Sequence, residues 1–207
     1  MPWDNWLARV LAASQGQLGE GWLNAYLTSP PWRFAIDPDL LGADGWLGVM
    51  LSSVDSVHRS FPLTLAAASR ARFTIFESRF DSDDWMTRAE TLALALIDGG
   101  GNVEASFVQF RDLASEIADW QEGPSFANAA SAAPISAVTY ELPAAPLEGA
   151  EATTSDAVSY WWHGDWPGHP AIALCSHGLP DPAVCAGFFD AHWFERGDLS
   201  PPPSGLS

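Results

Sequence analysis

A short string in the sequence brings together residue types that could carry out nucleophilic chemistry. Residues 52–59 read Ser-Ser-Val-Asp-Ser-Val-His-Arg and join two predicted strands. Serine, aspartate and histidine form catalytic triads, but triads are assembled from separated segments, and this sequence has no G-x-S-x-G motif. The alternative is a structural turn in which Asp55 pairs with Arg59 or accepts backbone N–H bonds. We therefore expect a turn and no catalytic residue here.

A second set of residues has the chemistry of metal ligands. Both cysteines and four of the five histidines fall in one C-terminal block, as His163, His169, Cys175, His177, Cys185 and His192. Structural zinc sites usually contain close C-x₂₋₄-C pairs, which this block lacks. We expect no metal and no cofactor. A small metal-dependent hydrolase that uses this His/Cys-rich block remains the alternative function.

The charge composition argues against nucleic-acid partners and against a P-loop nucleotide site. The 207 residues include 9 Lys plus Arg and 26 Asp plus Glu, a formal charge of −17, and all nine cations are arginine. No P-loop lysine can exist, and nucleic-acid binding depends on basic residues that neutralise phosphates. The apolar runs are far shorter than the ~20 residues of a membrane span, and no signal peptide is visible. We expect a cytoplasmic protein that does not insert into membranes.

The arginines are distributed unevenly along the chain. Residues 56–79 contain Arg59, Arg70, Arg72 and Arg79 against one acid, Glu77. A cationic stretch on an acidic protein suits docking to an acidic or phosphorylated partner. Alternatively, these arginines form intramolecular pairs with surrounding acids.

The first 76 residues are predicted to form a helix followed by strands. Apolar residues at helical spacing predict a helix from Trp3 to Tyr26, which glycines 16, 19 and 21 weaken and Ser29-Pro30-Pro31 ends. The predicted strands are Trp32–Ile36, Trp46–Val54, Phe61–Ala67 and a short Phe73–Phe76. Their short connections favour antiparallel pairing.

The rest of the chain is predicted to contain helices, an acidic loop and a final ordered block. One helix follows the acidic cap at Asp81–Asp84, and another follows Asn102 with the apolar face Phe107, Phe110, Ala114, Ile117 and Trp120. Residues 121–155 read as a low-complexity loop. Strands are predicted over Val158–Trp162 and Ala171–Cys175, and a helix capped by Asp181 over Pro182–Trp193. We expect a single domain over residues 1–197 and a disordered tail over 198–207.

Several strings in this sequence resemble the motifs of one bacterial family. They are Trp3-Asp4-Asn5-Trp6-Leu7, Gly19 to Leu27 (GEGWLNAYL), Ser29 to Phe34 (SPPWRF), Gly48-Val49-Met50 and Ser53 to Thr64 (SVDSVHRSFPLT). Tyr160-Trp161-Trp162 and Gly178-Leu179-Pro180, followed by Phe188, Asp190 and Trp193, resemble its C-terminal elements. With these motifs the chain resembles the TagF family, accessory proteins of bacterial type VI secretion systems.

The resemblance implies a non-enzymatic, post-translational repressor of type VI secretion. Its expected partner is the forkhead-associated scaffold protein of that system. The family's usual N-terminal strand, a GKLP-like stretch with a Gly-Asp-Phe, is absent upstream of Trp3. Either the start of the chain is truncated or this branch has lost that strand. His58 also stands where a glycine is usual, so we expect a different backbone geometry after Asp55.

These observations give one expected fold and one expected site. We predict an α+β fold with a mainly antiparallel central sheet flanked by helices, an α/β sandwich that lacks the family's N-terminal strand if the chain is complete. The predicted partner-binding residues are Trp32, Arg33, Asp55, Arg59, Arg70 and Arg72. They combine the family-like turn with the cationic stretch.

Overall fold

The computed structural model describes residues 2–55, 57–70, 84–99, 102–118, 139–144 and 157–199. The chain divides into two compact units. The terminal unit combines Met1–Pro30 with Ile135–Ser207, and the central unit is Pro31–Pro134. The division into one domain with a loop and a tail stays a prediction.

The central unit contains three antiparallel strands and two helices. Strands β1 (Trp32–Ile36), β2 (Gly45–Leu51) and β3 (Leu63–Ser69) lie in the order β3-β2-β1. Leu51 pairs with Leu63 across the β2–β3 connection, and Trp32 pairs with Met50. Helices α3 (Asp84–Ile97) and α4 (Val103–Ala118) follow. The strands match the predicted β1, β2 and β3 within three residues at each end.

The core of the central unit joins its helices to one another and to the strands. Trp85 on α3 is buried and donates its indole N–H to the Leu113 carbonyl of α4 at 2.8 Å. Helix α3 packs on β2, and α4 packs on β3. Asn102 caps α4 as predicted, because its Oδ1 accepts the backbone N–H groups of Glu104 and Ala105.

The terminal unit begins with two helices and ends with two short ones. Helix α1 (Pro2–Leu18) and helix α2 (Trp22–Thr28) are separated by a 3₁₀ turn at Gly19–Gly21, which is where the glycines predict a break. Strands β4 (Thr139–Glu141), β5 (Ser159–His163) and β6 (Ile172–Ser176) lie in the order β5-β6-β4. Helices α5 (Gly187–Asp190) and α6 (Trp193–Arg196) complete the unit.

Aromatic side chains build the core of the terminal unit. The Trp161 ring lies 5.2 Å from the rings of both Trp6 and Phe188, and Phe188 lies 5.2 Å from Trp193. The indole N–H of Trp6 donates to the Pro180 carbonyl at 2.8 Å. A buried indole thus brings apolar area into the core without leaving its N–H unsatisfied.

The predicted fold class is confirmed. Within each unit the strands pair side by side, all antiparallel except β4 with β6, and together with the helices they make an α+β fold. None of the helices in the described residues has both the length and the apolar composition of a membrane span.

Three local predictions differ from the structure. The helix predicted over Pro182–Trp193 is wrong: a 3₁₀ turn at Pro182–Val184 precedes α5, and Ala191 has a φ of 60°, which ends α5 before α6 begins. The predicted face of α4 is partly wrong, because Phe107 is exposed while Ser106 and Leu113 are buried. Strand β4 lies inside the predicted 121–155 loop. The predicted Phe73–Phe76 strand lies outside the described residues.

Candidate functional site

The β2–β3 connection, residues 52–62, is held in shape by its own hydrogen bonds. The Phe61 N–H donates to the Ser53 carbonyl at 3.1 Å, and the Ser53 hydroxyl donates to the Phe61 carbonyl at 2.8 Å. Beyond this pair, Val54 and Ser60 form an antiparallel bridge. The two strands therefore continue as a narrow ladder into the turn, which we name the SVD turn (residues 53–61).

Asp55 organises the tip of the SVD turn. Its Oδ1 accepts the backbone N–H groups of Val57 and Arg59, both at 2.9 Å, and its Oδ2 lies 2.7 Å from Arg59 Nε. These bonds from Arg59 and Val57 hold the pKa of the Asp55 carboxyl below its usual range, the Arg59 N–H contributing most. One carboxylate therefore fixes both the backbone and the cation of the turn.

His58 adopts a backbone conformation that side chains rarely take. Its φ is 63°, in the left-handed region that glycine occupies most readily. Glycine is the residue that the family resemblance leads us to expect at this position. The His58 N–H donates to the Asp55 carbonyl at 2.9 Å, so the hydrogen bonds of the turn stabilise this conformation.

The triad interpretation of this string has no support from the geometry. The Asp55 carboxylate binds donors of Val57 and Arg59 instead of orienting the imidazole of His58. A triad needs the carboxylate on the histidine and the histidine on the serine. The structural alternative, in which Asp55 pairs with Arg59 and accepts backbone N–H groups, is confirmed.

The SVD turn exposes apolar side chains that the sequence prediction missed. Val54, Val57 and Phe61 are all exposed, and the Arg59 side chain beside them is 79% exposed. The available signal was the presence of three apolar residues in a tight connection, where no core can receive them. Apolar side chains next to an arginine are typical of protein–protein interfaces.

Two predicted site residues do not lie at an accessible surface. Trp32 is only 2% exposed and belongs to the core. Arg33 donates from Nε to Glu90 Oε2 at 2.9 Å, and their side chains are 14% and 24% exposed. Arg33 is thus held in an intramolecular ion pair.

The cationic residues do not form one patch in the described residues. Arg59 lies in the turn before β3, and Arg70 directly follows the other end of β3. A strand of this length separates them by roughly 20 Å. Arg72 and Arg79 lie outside the described residues. Of the predicted residues that the structure describes, Asp55 and Arg59 are brought together by a side-chain contact.

The His/Cys-rich block does not have the geometry of a metal site in the part of the chain that the structure describes. Among the residues that the structure describes, which include all six of these side chains, no three His, Cys, Asp or Glu groups could share a metal ion. Burial raises the pKa of the Cys175 thiol to about 11 and that of Cys185 well above its usual value. Without a metal ion, both thiols are therefore protonated at neutral pH and are poor nucleophiles.

Comparison with known proteins identifies the family of this chain. A family model described as "TagF N-terminal domain, Type VI secretion system-associated" matches residues 1–114. The chain belongs to the TagF N-terminal domain family. The SVD turn lies within the matched TagF residues, as do α1 to α3 and β1 to β3.

A solved structure extends this similarity beyond the TagF match. The chain is similar to the crystal structure of PA0076 from Pseudomonas aeruginosa PAO1, with 31% sequence identity and a TM-score of 0.63. The similarity covers 92% of this chain and 83% of that one. No curated protein matches the sequence significantly.

Proposed function

We propose that this protein is a non-enzymatic cytoplasmic regulator that represses type VI secretion post-translationally. Its partner is the forkhead-associated scaffold protein of that system. Membership of a type VI secretion-associated family supports a role in that secretion system. The repressor role and the partner follow from the resemblance to TagF proteins.

The observation that carries the proposal is the construction of the SVD turn. The turn is ordered by the Asp55 carboxylate before any partner arrives. A loop that is already ordered loses little conformational entropy on binding, so more of its contact energy appears as affinity. The function therefore needs a preformed surface and no reactive group.

The proposed contact residues are those that the turn exposes. Val54, Val57 and Phe61 supply apolar area, and Arg59 supplies a guanidinium for carboxylate or phosphate groups of the partner. Asp55 holds Arg59 in place from inside the turn. Arg70 and Arg72 remain predicted flanking residues, whereas Trp32 and Arg33 act through the stability of the central unit.

The proposal is tested by measuring affinity for the purified scaffold by isothermal titration calorimetry. Arg59→Glu and the double variant Val57→Ser/Phe61→Ser should each weaken binding by about tenfold or more. Arg111→Glu is the matched control, because Arg111 is equally exposed but lies on α4. The control should bind within about twofold of wild type.

The possible results distinguish an error in the proposed partner from an error in the proposed binding site. If the wild-type protein does not bind the scaffold, the proposed partner is wrong. If it binds and both turn variants bind equally well, the partner stands and the SVD turn is not the site. Circular dichroism of each variant shows that the fold is retained.

A further inference from the structure

The terminal unit exposes apolar side chains along α2 and the neighbouring β5–β6 connection. Leu23 and Leu27, one helical turn apart, are 50% and 54% exposed. Trp166 is 37% exposed, and its indole N–H donates to the carbonyl of Thr28, the last residue of α2, at 3.1 Å. We name Leu23, Leu27 and Trp166 the α2 strip.

The connection that carries Trp166 is built to hold this ring in place. Trp166 and His169 exchange backbone hydrogen bonds at 2.9 and 2.7 Å. The Asp165 carboxylate accepts the Ala171 N–H at 3.1 Å, which closes the connection from the other side. An indole that is fixed by a bonded turn and yet remains exposed has the properties of an interface anchor.

The charges of this unit define what could cover the strip. Its described residues carry eight carboxylates and two guanidinium groups, a net of −6. Glu20 precedes Leu23 by three residues, and Asp165 is adjacent to Trp166. One of the two cations, Arg196, is already held by Asp190 and Asp198. An apolar strip on an acidic unit is complementary to an apolar segment with basic flanks.

We infer that the α2 strip binds an apolar, lysine- or arginine-flanked segment of another protein. Exposed leucines one turn apart, on a helix whose last carbonyl holds an exposed indole, are suited to receiving an amphipathic helix. A second copy of this chain fits less well, because two units of the same negative charge would face each other. The inference concerns the terminal unit and does not depend on the SVD turn.

The test uses a synthetic amphipathic helical peptide of leucine and lysine, and a second peptide with glutamate in place of lysine. The protein carries 5-fluorotryptophan, and the Trp166 signal in the ¹⁹F NMR spectrum is assigned with Trp166→Phe. The lysine peptide should shift this signal at physiological ionic strength. Leu23→Ser/Leu27→Ser should weaken binding by about tenfold or more.

The control is Val103→Ser/Phe107→Ser, an exposed apolar pair of the same spacing on α4. It should bind the lysine peptide within about twofold of wild type. The inference is overturned if both double variants behave alike, or if the glutamate peptide binds equally well. Light scattering provides a further test, because dimerisation that Leu23→Ser/Leu27→Ser abolishes would identify a second copy as the occupant.

Discussion

Arg33 on β1 and Glu90 on α3 form an ion pair, with 2.9 Å between Arg33 Nε and Glu90 Oε2. Both side chains are largely removed from water. Removing one partner of such a pair leaves the other charge poorly solvated, which costs more than the pair itself contributes. The pair therefore connects strand β1 to helix α3.

We predict that Arg33→Met lowers the free energy of unfolding by about 2 kcal/mol, because Glu90 loses its partner while mostly buried. Arg88→Met is the control. Arg88 also pairs with a glutamate, Glu116, but both side chains are well exposed, so its loss should matter far less. Urea denaturation measures the free energy of unfolding of both variants. Equal losses in Arg33→Met and Arg88→Met would contradict the structural role of Arg33.

The second prediction concerns the internal bonds of the SVD turn. Asp55→Ala removes the acceptor of the Val57 and Arg59 N–H groups and the partner of the Arg59 guanidinium. Hydrogen exchange of the Arg59 amide should accelerate by about tenfold or more, while amides of β2 and β3 keep their protection. Asp55→Asn retains a carbonyl acceptor, so its Arg59 amide should exchange at a rate between those of the wild type and Asp55→Ala. Unchanged exchange in Asp55→Ala would show that the strands alone hold the turn.

The third prediction is a dependence of stability on pH. Burial lowers the pKa of His163 to about 4 and also lowers that of His169. The unfolded chain, with histidine pKa values near 6.5, therefore binds more protons than the folded protein between these values. The free energy of unfolding should fall as the pH drops below 6.5, and the His163 contribution should reach about 3 kcal/mol at pH 4.

Thermal or urea denaturation between pH 5 and 6.5 isolates the histidines, since most carboxylates titrate lower. His163→Asn retains an N–H that can donate to the Gly164 carbonyl, the bond that Nδ1 makes at 2.6 Å. In this variant, the slope of the free energy of unfolding against pH should be smaller by up to about 1.4 kcal/mol per pH unit. An unchanged slope would show that His163 does not titrate in this range.

The fourth prediction concerns a close approach in the terminal unit. A Cβ at Gly187 would overlap the ring of buried Trp193, which packs edge-to-face against Phe188. Gly187→Ala should lower the free energy of unfolding by about 3 kcal/mol. Gly16→Ala is the opposite case: no atom lies within 4 Å of its Cβ position in α1, so it should stabilise by about 0.5–1 kcal/mol. Differential scanning calorimetry compares them, and a neutral Gly187→Ala would contradict this packing.

The sequence correctly predicted the features that depend on interactions within a few residues: strand β1, the Asx caps and the Asp55–Arg59 turn. Strand β1 has the predicted bounds, since bulky residues between prolines and a turn favour an extended chain. The caps at Asn102 and Asp181 were predictable, because an Asx side chain reaches N–H groups two or three residues ahead. The same short range made the Asp55–Arg59 arrangement predictable. The family motifs added the setting in type VI secretion.

The errors arise where a residue's surroundings come from distant parts of the chain. Tryptophan is a residue type common in interfaces, yet Trp32 is buried. Phe107 falls at the helical spacing of a core face, yet it is exposed. Periodicity shows which residues share a face of an element, but whether that face meets another element depends on packing. Arg59 and Arg70 are close in sequence, yet an intervening strand places them at opposite ends.

The amino-acid order was therefore sufficient for the bounds of most strands, the construction of the SVD turn, the fold class and the family. Which side chains are exposed followed from long-range contacts. Arg33 is a structural residue because α3 brings Glu90 to it, and Arg59 is accessible because its partner lies in its own turn. Hydrogen bonds within a few residues are encoded locally, whereas burial depends on every element packed against a position.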